Sequence, residues 1–79
     1  MSKYRPLSSW LAGQGGNLVH ASFEQIETIL GFALPASARA YPQWWEDDPK
    51  HVQAQAWLTV GFRTENLRLT AETVDLVRR

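Results

Sequence analysis

Asp47, Asp48 and His51 place two carboxylates and an imidazole within five residues, the oxygen and nitrogen donors that acid–base catalysis or a metal ion would use. The surrounding sequence completes neither chemistry. Asp48 precedes Pro49 and fits the cap of a helix. The second histidine, His20, lies far upstream with no spacing rule joining it to the first. No nucleophile pattern accompanies them, and "GQGG" at residues 13–16 lacks the Lys and the Ser or Thr of a phosphate-binding loop. The expectation is a protein without enzymatic activity, cofactor or metal.

A second set of residues suits recognition. Arg39 can pair bidentately with a guanine edge, and Ser37, two residues before it, can reach a base or a phosphate. His51 and Gln53 open the following segment in the same way, and Arg63, Arg68, Arg78 and Arg79 supply cations for backbone phosphates. "YPQWWEDD", residues 41–48, adds Trp44 and Trp45 beside three carboxylates. Neighbouring helical residues point about 100° apart, so one indole is expected inside and the other partly exposed, ready to stack on a base or to anchor a protein interface. Glu46, Asp47 and Asp48 repel phosphate, which favours a protein partner if that surface is used.

The elements that must position these residues follow from periodicity and caps. Leu7, Trp10 and Leu11 have the spacing of a short helix over residues 4–12, ended by "GQGG". Leu18 and Val19 form a short extended segment. Ser22 and Gln25 make a capping box, Ala21 and Ile26 a weak staple, and Phe23, Ile26, Ile29 and Leu30 one apolar face, with Gly31 in the left-handed position after the helix. Pro35 begins a short helix that Pro42 ends, with Ala38 and Tyr41 facing inward and Ser37 and Arg39 outward. Asp48 and Pro49 begin another that runs to Gly61, with Val52, Ala56 and Trp57 inward and Gln53 and Gln55 toward solvent. If the helices begun at Pro35 and Pro49 aim at one surface, their N-termini favour an anion there. Leu67 and Leu69, then Val74 and Leu76, alternate as two strands joined through "TAET".

Helix-turn-helix followed by a two-stranded hairpin is an α+β, winged-helix-like plan, here with one extra helix and with residues 1–79 as a single domain. Glu27 stands where a packed helix pair usually has a small residue. Seventy-nine residues bury roughly 60–65% of their extended surface, enough for one core, and 44% apolar residues with four Trp supply it. The absence of cysteine excludes disulfides and suits a reducing cytoplasm. No run approaches the roughly 20 apolar residues of a membrane span, so no membrane role is expected. Eight basic and eight acidic residues cancel, so no whole-molecule field draws the chain to nucleic acid; any basic face is local.

The stretch "SFEQIETILGFALPASARAYPQWWEDDPKHVQAQAWLTVGF" resembles a small bacterial domain of unknown function: a Ser-Phe-started helix, Leu-Gly, Leu-Pro-x-Ser-Ala-Arg, paired Trp, His-x-Gln-Ala-x-Ala-Trp-Leu and a closing hairpin. The resemblance falls on Ser22, Phe23, Leu30, Gly31, Leu34, Pro35, Ser37, Ala38, Arg39, Trp44, Trp45, His51, Gln53, Ala54, Ala56, Trp57 and Leu58, and implies a domain type without an activity. The residues themselves point first to a small DNA-binding module, regulatory or targeting, acting as a homodimer. The alternative is a protein-interaction module, such as a small inhibitor or adaptor from a mobile element, using Trp44 or Trp45 and the acidic cluster.

Overall fold

A computed structural model describes residues 2–79. Its elements are α1 (Arg5–Ala12), β1 (Leu18–Ser22), α2 (Phe23–Leu30), α3 (Ala36–Ala40), a 3-10 turn (Pro42–Trp45), α4 (Gln55–Leu58), β2 (Phe62–Arg68) and β3 (Thr73–Arg78). The molecule is therefore α+β, with short helices packed on an antiparallel sheet.

Ser22 ends β1 and caps α2, its hydroxyl accepting from the Gln25 N–H at 3.0 Å. Gly31 closes α2 at a φ of +84°, the left-handed conformation that costs an L-residue about 1–2 kcal/mol, and donates to the Glu27 carbonyl at 2.8 Å. Tyr41 leaves α3 with extended angles, since Pro42 disfavours a helical conformation in the residue before it. The expected inward Tyr41 is accordingly 61% exposed.

Two further expectations are corrected. The hairpin is part of a three-stranded sheet ordered β1-β3-β2, because β1 pairs with β3 from Leu18↔Val77 to Ser22↔Thr73. The helix expected from Pro49 starts only at Gln55 and spans four residues. The Asp48 carboxylate accepts from Lys50 N–H and its carbonyl accepts from His51 N–H, so Asp48 caps a turn. Bonds between residues three apart follow, from Ala54 N–H to His51 O and from Ala56 N–H to Gln53 O, which tighten the chain before an α-helix can propagate. Val52, expected inside, is 51% exposed. With α3 five residues long and α4 four, no pair of long helices presents aligned N-termini, and the expected dipole-based anion site is lost.

One hydrophobic cluster joins all the elements. At its centre Phe23, Trp45 and Trp57 lie in a near-parallel stack, with ring centres 4.8 Å and 6.0 Å apart. Both buried indoles find acceptors, as low-polarity surroundings demand: Trp45 Nε1 donates to the Ala38 carbonyl at 2.8 Å and Trp57 Nε1 to Asp47 Oδ1 at 2.9 Å. Val74 and Leu76 of β3 and Phe62 of β2 close the core from the sheet side. The outer sheet face carries Leu18, His20, Asp75, Val77, Arg63 and Glu65 in facing register.

Candidate functional site

The turn that follows α3 separates two clefts. Because Tyr41 is extended and Pro42 starts a 3-10 turn, Trp44 and Trp45 point to different sides. Trp45 enters the core at 2% exposure and its indole N–H is consumed, so it is removed as an interface residue. Trp44 stays half-buried, braced by Trp45 at 4.7 Å, Tyr4 at 6.0 Å and Trp57 at 6.5 Å. The expected split, one indole inside and one partly exposed, is observed.

On the Trp44 side, Ser37, Tyr41, Gln43, Trp44, His51 and Gln53 line an open cleft of about 390 Å³. Three of the expected contact residues, Ser37, His51 and Gln53, are brought together here with Trp44. Gln53 does not face free solvent: its amide donates to the Trp44 carbonyl at 3.0 Å and fixes the turn. His51 Nδ1 is buried with no hydrogen-bond partner. Tyr41 and Gln43 were missed as site residues, although the Pro between them signalled that the chain would turn outward.

Arg39 is not in this cleft. Its guanidinium forms a forked pair with Glu27, at 2.8 and 3.2 Å, and reaches Glu72 in the β2–β3 turn at 2.8 Å. Glu27 also accepts from the Leu34 N–H at 2.7 Å. The carboxylate that looked too large for a helix pair thus clasps α2, the following turn and α3, and Arg39 ties them to the hairpin. The Arg39 side chain and the Leu34 amide hold the Glu27 carboxyl below its usual pKa, and the two carboxylates raise that of Arg39.

The remaining arginines do not form one face. Arg63 and Arg68 point outward from β2 on either side of a bulge, opposite Val77 and Thr73, and so stand roughly 13 Å apart along the sheet. Arg78 lies over the Phe62 ring, 4.6 Å from its centre, and donates to the Gln14 carbonyl. Arg79 pairs with Glu65. On the same outer face Asp75 accepts from Asn66 at 3.0 Å and meets His20 Nδ1 at 2.6 Å; these bonds, Asn66 first, lower its pKa.

On the Trp45 side, a cleft of about 420 Å³ is edged by Glu46, Asp47, Asp48 and Glu65 beside Pro42, Thr64, Asn66 and Leu67. Asp47 is a bracket in it: one oxygen takes hydrogen bonds from the Trp57 indole, the Thr64 amide at 3.0 Å and the Thr64 hydroxyl at 3.1 Å. Asp47, Asp48 and His51 are therefore spread over different tasks. Among the described residues, no group of three or more His, Asp and Glu is placed to hold a metal ion, and no helix is long and apolar enough to cross a membrane.

The fold defines a small α+β domain. Residues 4–79 match the family model described as Domain of unknown function (DUF7662), and the chain belongs to that family. No curated protein and no solved structure gave a match.

Proposed function

We propose that this domain is a winged-helix-like nucleic-acid-binding module whose contact surface is the Trp44-side cleft with α3 and the β2–β3 turn beside it. The order helix, strand, helix, helix, 3-10 turn, helix, strand, strand, with the last strand central between the first and the second, supports the comparison with winged helices, α4 being one helix more than that plan has. In helix-turn-helix docking, the second helix of the pair approaches the groove. The Arg39–Glu72 pair holds α3 against the hairpin turn, so both belong to one surface.

The observation that carries the proposal is that the cleft has no carboxylate in its lining, while its polar groups from α3 and from the His51 segment converge. Phosphate can approach it without the repulsion it meets at the acidic cleft. Lys50, next to His51 in sequence, and Arg68, at the hairpin end of β2, make no ion pair among the described residues. They give each protomer two or so phosphate contacts. Two copies on paired half-sites double that number.

Anisotropy titration of labelled random-sequence duplex DNA at low and physiological salt tests the proposal. Binding with a log–log salt slope of about −2 per protomer supports it, as does loss of about one unit of slope in Lys50→Ala. Absence of binding at low salt, to this duplex and to single-stranded DNA alike, refutes it. A second reading, a protein partner with a basic surface, is favoured by Glu46, Asp48 and Glu65 around Leu67 in the acidic cleft.

A further inference from the structure

We infer that the Trp44-side cleft receives a single unpaired nucleobase, so that the preferred ligand is single-stranded or locally unpaired nucleic acid; this rests on the nucleic-acid reading above and names its substrate.

Many polar side chains of this domain are engaged. Gln14, Gln53, Gln55, Asn66, Thr64, Asp47 and Asp48 each hold a named backbone or side-chain group. Of the residues lining the cleft, Gln53 alone is so engaged. The Ser37 and Tyr41 hydroxyls, the Gln43 amide, the Trp44 indole N–H and His51 Nδ1 have no partner among the described residues, and the last is also buried. Unspent hydrogen-bonding capacity gathered at one concave place is what a ligand-binding surface requires, because the ligand then replaces water without breaking internal bonds.

The lining decides the chemistry of the ligand. It contains neither Lys, Arg, Asp nor Glu, so the group that enters is neutral. It offers donors and acceptors together, so the group is a hydrogen-bonding one in both senses. Trp44 supplies a ring whose orientation is already fixed by Tyr4, Trp45 and Trp57, which removes the ordering cost of a stacking platform, and exposed Tyr41 stands at the rim. A flat, neutral group with polar edges is a nucleobase. Its phosphates remain outside, near Lys50. The volume of about 390 Å³ falls in the range of roughly 300–1,000 Å³ typical of small-molecule clefts. A fully paired duplex keeps base faces stacked and Watson–Crick edges occupied, so only an unpaired or flipped base fits.

Three labelled DNA hairpins test this by anisotropy at low salt: one fully paired, one with a single bulged nucleotide, and one with an abasic site at the bulge. The bulged hairpin is expected to bind about 10-fold tighter than the paired one, with the abasic hairpin losing that gain. Tyr41→Ala combined with Gln43→Ala, both at exposed positions, is expected to remove the preference while circular dichroism stays unchanged. Equal affinity for the three hairpins overturns the base cleft and leaves nucleic-acid binding in place. No binding to any of them overturns both and assigns the cleft to a protein partner.

Discussion

Asp47→Ala removes the acceptor on which a buried indole, a strand amide and a threonine hydroxyl converge. Trp57 is 1% exposed and its N–H depends on Asp47; an unsatisfied buried donor costs about 1–3 kcal/mol, less where water from the adjoining open cleft takes the place of the carboxylate. The Thr64 groups lie nearer the surface and add about 0.5–1 kcal/mol. The expected loss is about 2–3 kcal/mol, against about 4–12 kcal/mol for a domain of this length. At about 4–8 °C per kcal/mol the thermal midpoint falls by roughly 10–20 °C, read by circular dichroism, with urea unfolding as an independent measure. Asp47→Asn keeps a carbonyl oxygen and is expected to lose less than half as much. In a Trp57→Phe background, the Asp47→Ala cost shrinks to the Thr64 share, so a double-mutant cycle isolates the indole bond. A midpoint change under about 2 °C in Asp47→Ala, or full additivity with Trp57→Phe, refutes the bracket.

Acid sensitivity follows from Glu27 and Asp75, whose folded pKa values lie below their ordinary values of 4.5 and 3.8. The unfolded chain therefore binds protons first as pH falls; the stabilisation is complete above about pH 5 and is lost as pH drops through the lowered values. Glu27→Gln flattens this acid limb in a pH series of urea melts, and an unchanged limb contradicts the clasp. Gly31→Ala puts a β-carbon at φ +84° with open space around it, so the cost is backbone strain alone, about 1 kcal/mol by denaturant unfolding; a neutral result contradicts the left-handed turn. His51→Leu relieves a buried unpartnered nitrogen, so stability is expected to hold or rise while nucleic-acid affinity falls. A loss above about 1 kcal/mol would show that His51 serves the fold instead.

Local signals in the sequence were reliable where a single residue decides the outcome. Ser22 capped, Gly31 turned, and Leu7, Leu11, Ile26 and Leu30 went inside because period and cap chemistry act over a few residues. Pairing of β1 with β3 joins segments more than fifty residues apart, and no local pattern encodes it. The helix expected at Pro49 failed for a related reason: Asp48 and Gln53 spend their side chains on a turn and on Trp44, contacts that exist only after folding. For the candidate site, Ser37, His51 and Gln53 with Trp44 were legible as neighbours at successive element starts. The ion pairs of Arg39 were not legible because its partners, Glu27 and Glu72, lie twelve and thirty-three residues away. Tyr41 was placed inward by helical spacing, although Pro42 had already withdrawn the helix from it.

The most direct measurement is an amide and indole ¹⁵N correlation spectrum of the domain titrated with the bulged DNA hairpin. Shifts are expected to concentrate at Ser37, Tyr41, Gln43, His51, Gln53 and the Trp44 indole N–H, with smaller changes in the β2–β3 turn, while the Trp45 and Trp57 indoles stay still. Shifts confined to the acidic cleft or the outer sheet face, or a spectrum that does not change, would contradict the base cleft.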